Sequence, residues 1–168
     1  MTVAVVGTSV GVRRFSSVDR TAVLELIRGD RLPGRPAVTA AVLDQALEQE
    51  VLLCEVLVST AGDVLGAVGW TIHGADGAGV VMWLHCQDDE QNLAEVLIRH
   101  VLGQFGRRPV HAFTEPTVLT PIGLPVRNRP GTRRALEGWR PIRGVKDDER
   151  RFRTEPSKVR TKESHARV

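Results

Sequence analysis

His85 and His111 stand in two apolar runs, Gly79 to Cys86 and Pro109 to Phe113, and imidazole titrates near neutral pH. In such a run a histidine serves either as a proton acceptor or as a hydrogen-bonded core residue. Glu115 follows the second run at the start of a loop, where a carboxylate is either solvated or placed to deprotonate an ammonium group. Arg127, Arg129, Arg133 and Arg134 crowd one short stretch, and guanidinium groups suit paired contacts to phosphate. The alternative for that cluster is a solvated basic face. Asp88, Asp89 and Glu90 lie in a row ahead of an amphipathic stretch, where carboxylates stabilise a helix N-terminus through its macrodipole. Cys54 and Cys86 sit in apolar segments as small buried hydrophobes, so neither a disulfide nor a metal site is expected. The sequence contains no tyrosine, which removes one common proton donor.

The elements that must position these groups follow from periodicity and turn residues. Ser16 to Asp19 starts a helix in capping-box fashion after a short strand around Val12 to Phe15, and Gly29 ends it. Arg31 to Pro36 breaks the chain, and Ala41, Val42, Leu43, Ala46 and Leu47 form a second helical stripe. Val51 to Ser59, Val64 to His73 and Gly79 to Cys86 read as an antiparallel three-strand meander, punctuated at Ala61-Gly62-Asp63 and Gly74 to Gly77. Leu93, Val96, Leu97, Val101 and Leu102 mark an amphipathic helix, and the crossover to Pro109–Phe113 implies parallel pairing there. Pro130-Gly131-Thr132 opens a short helix through Glu137. Trp139 to Arg143 and Arg150 to Thr154 are expected to close the sheet as a hairpin. The fold class is therefore α/β (α+β), a mixed, mostly antiparallel sheet flanked by helices.

The composition is that of one globular domain: 42% hydrophobic and 26% charged residues over 168 positions. No apolar run is long enough to span a bilayer, and the first residues lack the basic start of a secretory signal, so a cytoplasmic location is expected. Residues 1–126 hold 9 Lys/Arg against 14 Asp/Glu, and the remainder holds 14 against 6. The body is acidic and the C-terminal portion basic. Residues 1–154 are expected to form the domain and 155–168 a disordered tail. That tail lacks interleaved aromatics and follows no nucleic-acid module, which ranks nucleic acid last among partners.

The order of elements over roughly residues 10 to 153 resembles the GNAT acyltransferase superfamily. The residues carrying the likeness are Gly62-Asp63-Val64-Leu65-Gly66-Ala67-Val68-Gly69, Trp83-Leu84-His85 leading to Leu97-Ile98, and Arg133-Arg134-Ala135-Leu136-Glu137-Gly138-Trp139. The chain resembles still more closely the N-terminal half of actinobacterial proteins with two GNAT units in tandem, through Leu32 to Pro36, Gly79 to His85 and Leu124 to Pro130.

The resemblance implies a reaction in which an amine attacks the thioester of acetyl-CoA, with Glu115 and His85 as catalytic candidates. It implies cofactor contacts at Leu84, His85, Cys86, Asn92, Ala94, Arg127 and Arg129. In active relatives a Q/R-x-x-G-x-G/A loop holds the coenzyme pyrophosphate. Its place falls on Asp89-Glu90-Gln91-Asn92-Leu93-Ala94, with an acid at the basic or Gln position, Asn92 at a glycine position, and Ala94 alone compatible. Weak acetyl-CoA affinity is therefore expected. Two functions follow from the likeness: an N-acetyltransferase acting on a small-molecule or peptide amine, or a catalytically silent GNAT-like module that binds a partner. Either a homodimer or a second GNAT-type chain fits the missing second half.

Overall fold

The structure, a computed structural model, describes residues 2–5, 8–30, 37–48, 52–114, 117, 119, 124, 127–139 and 142–143. Glu115, the break at Arg31 to Pro36, the strand expected at Arg150 to Thr154 and the tail lie outside them.

Among the described residues seven strands form one sheet in sequence order: β1 Thr2–Val5, β2 Thr8–Arg14, β3 Leu53–Ser59, β4 Val64–Ile72, β5 Gly79–Cys86, β6 Val110–Ala112 and β7 Ile142–Arg143. The pairings from β1 to β5 are antiparallel, whereas β5–β6 and β6–β7 are parallel. The mixed, mostly antiparallel sheet is as the sequence implies. Two details differ. A strand β1 precedes the first expected one and β2 begins at Thr8, because the glycines around it interrupt the apolar alternation. The last strand, β7, lies parallel to β6 and so ends a second crossover through the short helix, and the other arm of the expected hairpin lies outside the described residues.

Four described α-helices cover the sheet: α1 Arg20–Gly29, α2 Ala40–Glu48, α3 Gln91–Phe105 and α4 Pro130–Glu137. Strand alternation sorts the core into two faces. Leu57, Val68 and Leu84 point toward Leu97, Val101 and Phe105 of α3 and Ala135 and Leu136 of α4. Val56, Ala67 and Trp83 point the other way, toward Val23, Leu24 and Ile27 of α1 and Leu43 of α2. Burial also extends to Asp19, whose carboxylate accepts from both Arg13 Nη groups at 2.7 Å and from the Ser16 amide at 2.8 Å, fixing the entry to α1. The Arg13 contacts hold that carboxyl below its usual range, despite the opposing effect of burial.

On the α3 face, Glu55 of β3 accepts from Trp70 Nε1 at 2.9 Å and meets His100 Nε2 at 3.1 Å, which ties α3 to the sheet through a satisfied polar group. On the α1 face the register shifts between Gly69 and Trp70, so Gly69 pairs with Trp83 and Trp70 with Val81. A side chain at Gly69 would overlap the Trp83 ring, which lies directly on that backbone. The β5–β6 ladder spans only Gly79–Val81 against Val110–Ala112, extended by the Phe113 amide donating to Val81 O at 2.8 Å. Phe113 has φ 56°, in the left-handed region, and turns the chain off the sheet there. The distal half of β5, Trp83 to Cys86, therefore continues beyond the end of β6 and opens a wedge.

Candidate functional site

At the mouth of this wedge the chain leaves β5 through a turn, Gln87–Asp89, and enters α3. Asp88 and Asp89 have φ 51° and 50°, a left-handed conformation in consecutive non-glycine residues. What holds the turn is the carboxylate of Asp89, which reaches the N-terminus of α4. It accepts the Gly131 amide at 2.6 Å, the Thr132 amide at 3.1 Å, the Thr132 hydroxyl at 2.6 Å and Arg129 Nε at 3.1 Å. The first amides of a helix carry unsatisfied hydrogens and the positive end of its dipole, so one carboxylate here serves α4 as a cap. Gly131 is required by the approach: an added Cβ would overlap the Asp89 carbonyl oxygen.

Arg129 is 2% exposed, and its guanidinium joins four parts of the fold. Besides Asp89 it meets Asp30 Oδ2 of the α1 C-cap at 3.2 Å, Leu84 O of β5 at 2.7 Å and Thr132 Oγ1 at 2.8 Å. The Leu84 contact lies on β5 beyond the reach of the β6 ladder, so a side chain binds the strand where the wedge opens. Asp30 also meets His85 Nδ1 at 2.9 Å, and both side chains are nearly inaccessible. With Asp30 as acceptor, Nδ1 carries the proton and Nε2 is left bare; Nε2 is buried with no hydrogen-bond partner. Trp83 Nε1, on the neighbouring residue pair of β5, is likewise unpaired, and the two rings lie 6.0 Å apart.

Burial lowers the His85 pKa most strongly; Asp30 opposes this and the Arg129 charge adds to it. The folded chain therefore binds a proton at His85 less readily than the unfolded chain, whose imidazole titrates near about 6.5. The contribution is complete above that value and lost as pH falls through it toward the lower folded pKa. We expect urea-unfolding stability to decline between about pH 7.5 and 5.5. His85→Gln should flatten that slope. The low-pKa carboxyls Asp19 and Asp76 act only at more acidic pH.

A cavity of about 500 Å³ opens beside the network. Its lining includes Glu25 and Asp30 from α1 and its C-cap, and Cys86, Gln87, Asp88 and Asp89 from the β5–α3 turn. Asp30 and Asp89 are engaged with Arg129, so the acidic character of the wall, suited to cationic ligands, rests on Glu25 and Asp88. Among the described residues no cluster of His, Cys, Asp and Glu side chains is arranged to hold a metal.

Of the sequence candidates, the structure brings Leu84, His85 and Arg129 into one network, with Cys86 next along β5. Cys86 is buried and its thiol is pushed up by that burial, so it stays protonated. Asn92 is exposed and Ala94 buried on the first turn of α3, and Arg127 is exposed at the turn before α4. Arg129 faces the interior and is engaged by protein groups, which is a different environment from the exposed basic cluster suggested by its neighbours. His111 pairs with Val80, five residues before His85 along β5, or roughly 16 Å by strand rise. It does not share the His85 site. Asp30, Thr132 and Gly131 were not among the sequence candidates. Asp30 follows the glycine that ends α1, and nothing in local spacing joins it to residues 85 and 129.

No protein-family model and no curated protein matches the chain. Among solved structures it is similar to a GCN5-related glucosamine N-acetyltransferase region of a fungal multi-domain GH3 beta-N-acetylglucosaminidase, with TM-score 0.60 and 16% identity. That match covers 81% of this chain and 17% of the fungal one, so the chain spans less than a fifth of that protein. The fold is that of a GCN5-related N-acetyltransferase. Lower similarity is found to a putative phosphinothricin N-acetyltransferase, with TM-score 0.49, 16% identity and coverage of 61% of this chain and 70% of that one. The aminoglycoside 6'-N-acetyltransferase AAC(6')-Ih from Acinetobacter baumannii gives TM-score 0.48, 12% identity and coverage of 61% and 78%. No described helix of this GNAT-fold chain is long and apolar enough to cross a membrane.

Proposed function

We propose that the chain is a GNAT-fold binding module that takes a cationic, amine-bearing ligand in its acidic cavity and does not transfer an acyl group. The observation that carries this reading is the Asp89 carboxylate seated on the α4 N-terminus and Arg129. A coenzyme pyrophosphate needs free amides, a glycine-lined approach and net positive charge. The β5–α3 turn instead offers Asp88 and Glu90 beside the already engaged Asp89, and unit negative charges about 4 Å apart repel by roughly 4 kcal/mol near a protein surface. The residues present do not fit that group. The likeness to the degenerate half of tandem GNAT proteins points the same way and leaves a homodimer or a second GNAT-type chain as the macromolecular partner.

A second reading, acetyl transfer from acetyl-CoA to an amine, draws on the Asp30–His85 pair. Asp30 orients the ring and leaves the buried, neutral Nε2 as the proton acceptor, with Glu115 as the other base candidate. The two readings separate in a thiol-release assay with acetyl-CoA and a panel of primary amines. The binding-module reading expects no thiol above the buffer rate. Turnover abolished by His85→Gln or Glu115→Gln would instead establish the enzyme.

A further inference from the structure

Trp83 and His85 occupy alternate positions of β5, and each carries a ring nitrogen that is buried and has no hydrogen-bond partner among the described residues. Trp83 is 0% and His85 3% exposed. Their rings lie 6.0 Å apart between centroids, and the residues opposite them on β4 are Gly69 and Ala67, which bring no polar side chain. Two buried polar atoms left so close together cost folding free energy that a suitable ligand group returns on binding.

Their hydrogen-bonding senses are complementary. The indole Nε1–H only donates, and His85 Nε2 accepts because Nδ1 meets Asp30 Oδ2 at 2.9 Å. An ammonium would satisfy the imidazole and set its own hydrogens against the indole, whereas a carboxylate or carbonyl would satisfy the indole and face the imidazole lone pair. A hydroxyl accepts from one and donates to the other. One oxygen making two bonds of about 2.9 Å spans up to about 5.8 Å, the scale of the separation between these rings.

Asp30, which holds one edge of the imidazole, also lines the acidic cavity, while the unpartnered Nε2 is on the other edge. Helix α1 serves both places: Ala22, Glu25 and Leu26 line the cavity, and Val23, Leu24 and Ile27 pack with Trp83. Resting on the reading of the cavity as the seat of a cationic group, we propose that Trp83 and His85 form its hydroxyl subsite. The ligand class is then a short amino alcohol, its ammonium beside Glu25 and Asp88 and its hydroxyl between Trp83 Nε1 and His85 Nε2. Both nitrogens are buried, so the hydroxyl enters as the end of α1 yields, which selects slim, unbranched chains.

The probes are short ω-amino alcohols, set against n-alkylamines and n-alcohols of equal length. Binding to the full chain at pH 7.5 is followed through the NMR signals of its three tryptophan indoles and of the His85 ring nitrogens. The signal missing in Trp83→Phe assigns Trp83. With the best amino alcohol, Trp83 Nε1–H is expected to move downfield and His85 Nε2 upfield. That compound should bind about tenfold tighter than its alkylamine, a preference that falls below about twofold in Trp83→Phe. Should that variant fail to fold, the His85 signals and the same affinity ratio on wild type decide the matter. An n-alcohol that moves both signals supports the subsite even where no amine binds. Signals unmoved by every hydroxyl compound overturn the proposal, including the case in which water alone fills the position. An alkylamine that binds as tightly as its amino alcohol also overturns it and leaves the cationic reading standing, whereas failure of every amine to bind counts against that reading.

Discussion

Replacing Arg129 by methionine is expected to lower the free energy of unfolding by about 3–5 kcal/mol, because it removes one partner from a buried charge network. The guanidinium faces Asp30 and Asp89 together, donates to Leu84 O and supports Thr132, all with 2% exposure. Methionine fills much of the volume and supplies none of the donors. Two carboxylates then remain in a largely buried corner with reduced compensation. The measurement is urea denaturation at pH 7.5, with Asp89→Asn and the double variant completing a cycle. The double variant should cost clearly less than the sum of the singles, since each single leaves a charge that the other neutralises. A loss below about 1 kcal/mol for Arg129→Met would mean that the network is solvated and that its role in closing the wedge is wrong.

Trp83→Ala should cost a similar amount, about 3–5 kcal/mol, through lost burial and the cavity left behind. Trp83 is wholly buried, lies over Gly69, and packs among Val23, Leu24 and Ile27 of α1. Its indole nitrogen contributes no hydrogen bond, so Trp83→Phe, which removes an unpaired buried donor along with some volume, should be much milder. The contrast between the two substitutions is the informative result, read from thermal and urea midpoints. Trp83 also seats the helix that carries Glu25 and leads into Asp30, so the alanine variant should weaken any cationic ligand of the cavity as well. Equal losses for alanine and phenylalanine would show that the indole nitrogen has a partner.

Most of the architecture was legible because each element obeyed a single local rule. The apolar run Gly79 to Cys86 marks β5, and Pro130 at the first helical turn marks the start of α4. The crossover length also implied the parallel direction of β6. The first hairpin was hidden because β1 has only four residues and Gly11 interrupts the apolar alternation of β2. For the site, the sequence singled out His85, Leu84 and Arg129 individually, for catalytic or coenzyme roles, and read the acidic row as stabilising the adjacent helix. The helix that Asp89 caps is α4, 42 residues onward from Asp89 to Gly131, and not the adjacent α3. No local pattern could signal that pairing, since it depends on the wedge bringing the end of β5 against the second crossover. Asp30 was missed for the same reason: its partners His85 and Arg129 are reached only through the packing of α1 on the sheet.

The most direct test of this account is isothermal titration of the purified wild-type chain with acetyl-CoA, at low and moderate salt, with coenzyme A as the control. The account predicts no detectable binding at either salt, because the turn that would grip the pyrophosphate is acidic and the nearby helix terminus already holds Asp89. Binding in the micromolar range, roughly −8 kcal/mol, would contradict it and return the chain to the acyltransferases.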